Sequence, residues 1–248
     1  MSKPQLIAEM IAWASEASPD VREFASPATI ERYLIAHNDS VTRAQRGIEA
    51  TVSWRKAAIS PDFVCSVCAA QPGSHCFVPL GADGGNAVVV FGAPARASAG
   101  GEVSATVSHC VNALEKQWTN DGSRQWVWLV DFRGFGLTHA LNARLGIAFA
   151  QVFKDHFPER LKRIVLLNPP LVFKVLISAI GAIADARTLA KIQQIDFETG
   201  AQACEQLAER LAITDSEILR WLNAALDEPS ALPNTLPPLS ENAKLLQV

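Results

Sequence analysis

The chain has 248 residues, of which 49% are hydrophobic and 19% are charged, and its formal net charge at pH 7 is −3. This length and apolar content predict one large domain, or a domain with a helical appendage. The small and evenly spread charge excludes a nucleic-acid partner that is bound through a basic surface.

The apolar segments and the cysteines indicate the compartment. The N-terminal run Leu6–Ala14 contains Glu9, so it predicts a helix rather than a secretory signal. The longest uncharged stretch, Phe63–Ala82, carries Pro72 and Pro79, which exclude a membrane span. Five cysteines without an export signal are typical of reduced thiols. We therefore expect a soluble cytoplasmic protein that touches membranes only peripherally and transiently.

The first part of the chain is predicted to be helical. Leu6, Met10 and Trp13 recur at helical spacing, Thr29 is a candidate helix cap, and a further helix is predicted from Val41 to about Ala58. We therefore predict an N-terminal helical module over residues 1–60. Residues 61–86 are predicted to be a loop-rich connector that closes with a glycine-rich turn.

Four potential metal ligands cluster in this connector: Cys65, Cys68, His75 and Cys76. The first two resemble half of a zinc knuckle, but the six residues before the His-Cys pair match no common zinc finger. We therefore expect ordinary thiols and no metal, with zinc bound by these four residues as the alternative.

From residue 87 the pattern alternates between strand and helix. Strands are predicted at Ala87–Phe91, Gln125–Phe132 and Ile164–Leu167, with helices at Val103–Trp118 and from Leu141 to about residue 156. This order is βαβαβ, which favours a mostly parallel sheet in an α/β fold. Two further helices are predicted at about 199–211 and 214–226, followed by a proline-rich tail from residue 229.

Two apolar segments lack a polar side. The run Ile164–Leu167 does not alternate polar with apolar residues, so this strand is predicted to be covered on both faces, and Asn168-Pro169-Pro170 ends it. The helical segment Phe173–Ala184 has no charge between Lys174 and Asp185. A helix that is apolar all round is a core helix or faces lipid on one side, and ten residues are too few to cross a bilayer.

Four segments, in order, resemble signatures of one family. RYLIAHNDSVTRA…VSWRKA resembles the N-terminal helical module of the CRAL-TRIO lipid-binding family, and WLVDFRGFGL, FPERLKRIVLLNPPLVF and DARTLAKI resemble its later motifs, over about residues 28–200. The resemblance implies a helical module followed by a CRAL-TRIO domain, here 87–228, and a C-terminal tail, 229–248. In that fold a mostly parallel mixed sheet forms the floor of a lipid cavity, and a mobile apolar gate helix, here Phe173–Ala184, covers it.

The resemblance also implies a function and a site. It implies non-enzymatic binding and transfer of a hydrophobic ligand between membranes, with phosphatidylinositol or phosphatidylcholine as the expected phospholipid and no cofactor. The head-group residues that it implies are Glu159, Thr188, Lys191, His37 and Asp185. The pocket and gate residues that it implies are Trp128, Val130, Phe149, Phe153, Leu166, Phe173, Leu176 and Ile180.

One position departs from the inositol-binding members of the family. They carry an Arg-x-Arg pair in the N-terminal module, and here the matching positions are Ile35 and His37. A neutral histidine offers one donor, against five on a permanently charged guanidinium. This departure weakens the assignment of phosphatidylinositol and leaves the predicted fold unchanged.

Three other functions are alternatives. Some family members serve as protein-interaction modules beside small GTPases or regulators, and bulky side chains such as Trp128 would then fill the cavity; the sequence does not identify a protein partner. An α/β hydrolase could use Asp131 with His109 or His139, but no Gly-x-Ser-x-Gly elbow occurs and Ser104 lies in a helical stretch. A dinucleotide-binding fold is disfavoured because the glycine cluster 81–85 precedes a strand instead of following one.

Overall fold

The fold is seen in a computed structural model that describes residues 1–82, 87–97, 103–117, 124–137, 139, 144–173, 177, 178, 181 and 186–228. Its helices are α1 Lys3–Glu16, α2 Pro19–Phe24, α3 Pro27–Ala36, α4 Val41–Ala58, α5 Ser66–Ala70, α6 Val103–Glu115, α7 Arg144–His156, α8 Ala186–Ala190, α9 Gly200–Leu211 and α10 Ser216–Asp227. Its strands are β1 Phe77–Ala82, β2 Ala87–Gly92, β3 Gln125–Asp131, β4 Leu161–Leu167 and β5 Ile192–Ile195.

The strands form one mixed, mostly parallel sheet, as the sequence predicts. The spatial order is β1-β2-β3-β4-β5, with β1 antiparallel to β2 and the other neighbours parallel. Strand β1 lies in the segment that was predicted to be a connector loop, so that prediction is wrong for residues 77–82. Pro79 and Gly81 disfavour a central strand, but β1 is an edge strand and its register shifts between these two residues. An edge position tolerates both residues.

Both faces of the sheet are covered, which confirms the expectation for Ile164–Leu167. Val165 and Leu167 are fully buried in a core that also contains Leu207 of α9 and Trp221 of α10. Ile164 and Leu166 lie on the opposite face and line an internal cavity. The unbroken apolar run is therefore explained by helices on one side and a cavity on the other.

The helical module packs against the rest of the fold through α4. The indole of Trp54 stacks on the imidazole of His156, with ring centroids 4.1 Å apart. The Thr51 hydroxyl lies 3.0 Å from Nδ1 of His156 and accepts a 2.7 Å hydrogen bond from the hydroxyl of Tyr33. These contacts place α3 and α4 beside α7, at one wall of the cavity.

Helix α3 begins earlier than the sequence pattern indicated. Its cap is Ser26, whose hydroxyl accepts a 3.2 Å hydrogen bond from the backbone N–H of Thr29, and Pro27 takes the first helical position. Thr29, the predicted cap, lies inside the helix and is buried. No described helix is both long enough and apolar enough to cross a membrane.

Candidate functional site

A large cavity lies between the sheet and the helices of the opposite layer. Its volume is about 810 Å³, and α3, α4, α6, α7 and strands β3 to β5 all contribute lining residues. A cavity of this size falls in the range that binds drug-sized or larger ligands. The predicted pocket residues that the structure describes all line it: Trp128, Val130, Phe149, Phe153, Leu166 and Phe173.

Aromatic side chains form one wall of this cavity without filling it. The Trp128 ring makes edge contacts with Phe149 and Phe153, at centroid distances of 5.7 and 5.8 Å. The Nε1 atom of Trp128 is buried and has no hydrogen-bond partner in the described part of the chain. The wall that faces the cavity is therefore apolar, because the only polar atom of the Trp128 ring is shielded from it.

The segment predicted to be the gate contributes two described residues to the cavity. Phe173 is buried and packs edge-on against Phe132, with centroids 4.5 Å apart, and Ile177 also lines the cavity. The other two predicted gate residues, Leu176 and Ile180, lie outside the described residues.

Polar side chains gather at the other end of the cavity. The Nζ atom of Lys191 donates a 2.9 Å hydrogen bond to Oε2 of Glu159, and Thr188 lines the cavity beside them. His37, at the end of α3, lines the same region. The structure thus brings together the four predicted head-group residues that it describes, while the fifth, Asp185, lies outside the described residues.

Sequence reasoning missed one cation at this polar end. Arg187 lies 3.9 Å from the carboxylate of Glu159, and its Nη1 donates a 3.1 Å hydrogen bond to the carbonyl oxygen of Ile35. A guanidinium from α8 therefore stands beside the position where the sequence lacks the family's arginine. The predicted head-group residue Thr188 was the available signal, because Arg187 directly precedes it in the chain.

His37 does not supply a positive charge near pH 7. Burial, and secondarily the charge of Arg43, lowers the pKa of this imidazole. The His37 ring also occupies space that a side chain at position 47 would need. A Cβ added to Gly47 would lie only 2.7 Å from Nε2 of His37. Glycine at this position in α4 is what allows the ring to reach the cavity.

Asp131 has a structural environment rather than a catalytic one. Its fully buried carboxylate pairs with Arg96 and with Arg133, the latter at 2.8 Å. The two histidines that a hydrolase would need lie elsewhere: His109 contacts Cys68, and His139 accepts a hydrogen bond from the backbone of Gly136.

The connector cysteines meet a different fourth partner from the one expected. Ligand atoms of Cys65, Cys68 and His75 converge with that of His109, which follows Cys68 by 41 residues. Cys76 is not a member of this group, because it packs in the core on the other sheet face. Local spacing therefore identified three of the four residues, and only the position of α6 supplies the fourth.

Comparisons with known proteins agree with this geometry. A model of the CRAL/TRIO domain matches residues 74–210. Among solved structures, the crystal structure of Sfh5 superposes with a TM-score of 0.59 at 15% sequence identity, over 84% of this chain and 78% of that chain, which is a likeness of fold. No curated protein matches the sequence. The family model matches more than half of the residues of this chain, so the chain belongs to the CRAL/TRIO domain family.

Proposed function

We propose that this protein binds one phospholipid in its cavity and transfers it between membranes without catalysing a reaction. The observation that carries this proposal is the cavity of about 810 Å³ with an apolar wall and a polar end. A protein-interaction module with a filled core would leave no such space, although its surface could still bind a partner.

The cavity has a direction that suits a lipid. Glu159 and Lys191 precede β4 and β5, so the polar end lies at the amino edge of the parallel strands. Phe132 and Phe173 follow β3 and β4, so the opposite edge is apolar. A seven-residue strand spans about 23 Å, which exceeds the roughly 15 Å that tails occupy in one leaflet. The head group would lie at the amino edge and the tails would run toward Phe173.

The energetics suit exchange rather than storage. Taking acyl chains into an apolar cavity recovers about 0.8 kcal/mol per methylene relative to water. The acyl chains are already removed from water in the bilayer, so the free energy of moving them from the membrane to the cavity is close to zero. Phe173 and Ile177 at the apolar edge would be the first residues that such tails touch during transient peripheral contact with a membrane.

The polar end favours a hydroxylated anionic head group, and we propose phosphatidylinositol before phosphatidylcholine. Lys191 and Arg187 can both donate to a phosphate, and the Thr188 hydroxyl can do so as well. The carboxylate of Glu159 already accepts from Lys191 and can accept further hydrogen bonds, which inositol hydroxyls can donate and choline cannot. This assignment rests on chemical complementarity of these side chains.

The test is lipid identification followed by a transfer assay. Purified protein is incubated with liposomes of mixed phospholipids, re-isolated and extracted, and the extract is analysed by mass spectrometry. We expect about one phospholipid per chain. Folded protein that retains no lipid would contradict the proposal and favour the interaction module.

A matched pair of variants tests the head-group assignment. Lys191→Ala removes a cation that pairs with Glu159, whereas Lys162→Ala removes an exposed lysine of β4 that is not among the residues lining the cavity. We expect transfer of labelled phosphatidylinositol to fall by about tenfold in Lys191→Ala, since a charge-assisted hydrogen bond contributes roughly 1.5–3 kcal/mol, and to stay unchanged in Lys162→Ala. An equal loss for phosphatidylcholine would place Lys191 in general lipid retention instead of head-group recognition.

A further inference from the structure

Two cysteines and two histidines meet beside the cavity, and we name them the Cys2His2 cluster: Cys65, Cys68, His75 and His109. Their ligand atoms all lie within 4.8 Å of one another. Three of the side chains are buried and Cys68 is partly exposed. The first three come from the segment around α5, and His109 comes from α6, so the cluster joins two separate parts of the chain.

The distances within the cluster match a tetrahedral metal site. Sγ of Cys65 lies 3.2 Å from Nε2 of His75, and Sγ of Cys68 lies 3.8 Å from Nδ1 of His109. Zinc bonds of about 2.3 Å to sulfur and 2.0–2.1 Å to nitrogen, at tetrahedral angles, place sulfur and nitrogen roughly 3.6 Å apart. The observed distances lie on either side of this value, so a metal ion requires only small adjustments of the side chains.

The surroundings orient these ligands as a metal site requires. The sulfur of Cys68 receives hydrogen bonds from the backbone of Gly73 and His75. The imidazole of His109 also hydrogen-bonds the backbone of Phe77, an outer contact of the kind that fixes the orientation of a metal-bound histidine.

Without a metal ion, the side chains of the cluster have only weak hydrogen-bond partners. The two imidazole rings lie 4.5 Å apart, and each is paired with a thiol, which is a weak hydrogen-bonding group. Buried polar groups with such weak partners cost free energy, and direct bonds from a metal to the two sulfurs and to the ring nitrogens that face them would offset that cost.

We propose that the Cys2His2 cluster binds one structural Zn²⁺ ion. Two thiolates and two imidazoles in tetrahedral arrangement are the ligand set that zinc prefers, and four protein ligands leave no open position for catalysis. The ion ties the α5 segment to α6. His75 and Phe77 on one side, and Thr106 and Cys110 on the other, line the cavity, so the zinc holds one of its walls in place.

The first test is the metal content of the full chain, purified in a reducing buffer with a tag that contains no histidine or cysteine. We expect about one zinc per chain by plasma mass spectrometry. Cys68→Ser and His109→Ala are expected to retain less than a tenth of that amount. Cys204→Ser, which removes a half-buried thiol outside the cluster, is expected to retain all of it.

Two measurements on the unmutated chain keep the proposal testable if those variants fail to fold. Replacement of zinc by Co²⁺ is expected to give the absorption of tetrahedral cobalt with thiolate ligands. Removal of the metal by a chelator is expected to lower the melting temperature by about 10 °C, because a ligand at a thousand times its Kd stabilises a chain of this size by that order. Re-addition of Zn²⁺ should restore it.

Three results would overturn the proposal. The first is folded protein that contains no zinc and gives no thiolate–cobalt absorption when the ion is supplied. The second is a disulfide between Cys65 and Cys68 in protein prepared under reducing conditions, detected by mass after alkylation. The third is full zinc content in His109→Ala together with loss in Cys76→Ala, which would restore the ligand set expected from local spacing.

Discussion

The buried carboxylate of Asp131 allows a sharp prediction about stability. It pairs with the guanidinium of Arg96 and accepts from Arg133 through both oxygens, at 3.1 Å from Nε to Oδ1 and 2.8 Å from Nη2 to Oδ2. Both arginines also donate to carbonyl oxygens at the end of α10, those of Ala225 and Leu226. One carboxylate therefore pairs with two cations, and these connect the end of β3 to the last helix.

The substitution Asp131→Asn preserves the size of the side chain and removes its charge. It leaves two guanidiniums close together, and the side chains of Arg96 and Arg133 are only 6% and 19% exposed. Removing one member of a buried ion pair costs about 3–5 kcal/mol. At about 2–4 °C per kcal/mol for a chain of this length, the melting temperature should fall by roughly 10 °C.

The assay is urea unfolding followed by tryptophan fluorescence and circular dichroism, with Asp196→Asn as the control. Asp196 is exposed and follows the neighbouring strand β5, so its loss should change the free energy of unfolding by less than about 0.5 kcal/mol. The reasoning is refuted if Asp131→Asn is within 1 kcal/mol of the unmutated protein. Loss of a hydrolytic activity in this variant, with full stability, would instead revive the hydrolase alternative.

Three further predictions concern the cavity and the helical module. Gly47→Ala should displace His37, whose Nε2 would lie 2.7 Å from the new Cβ, and weaken lipid retention; unchanged retention would remove His37 from the site. Burial lowers the pKa of His156, so the unfolded chain binds the proton first. The free energy of unfolding should then fall as pH drops below about 6.5. It should fall less steeply in His156→Phe, which retains an aromatic ring for Trp54 to stack on. The same dependence on pH in both proteins would contradict this. Ile177→Asp should slow lipid transfer between liposomes without changing the far-ultraviolet circular dichroism, and normal transfer would exclude Ile177 from the exit path.

The elements that sequence predicted well are those with a strong local pattern. Strand β3 follows an apolar run and helix α7 a period of four, four and three residues; β3 formed where expected, and so did α7 from Arg144 onward, while its predicted start at Leu141 lies outside the described residues. Strand β1 was missed because its signal is not local. Pro79 and Gly81 resemble a loop, and only pairing with β2 makes the segment a strand. Pairing partners cannot be deduced from the composition of either strand alone.

The candidate site divides in the same way. Glu159 and Lys191 are 32 residues apart, yet they meet because Glu159 lies two residues before β4 and Lys191 lies directly before the adjacent parallel strand β5. Once β4 and β5 are known to be neighbours, the contact between Glu159 and Lys191 can be predicted. Arg187 and His109 are different, since their roles depend on how α8 and α6 pack, and helix packing is not encoded in any short motif.

The two edges of the sheet explain why the enzymatic alternative is unattractive. In open parallel sheets, ligands usually bind beyond the carboxyl ends of the strands, and Asp131 stands at that edge. Here arginines and the end of α10 enclose its carboxylate, while Phe132 and Phe173 make the adjoining cavity apolar. The accessible charges lie at the amino edge, around Lys191. A buried, arginine-paired carboxylate at one edge and a salt-bridged polar group around Lys191 at the other form an arrangement that can orient an amphipathic ligand.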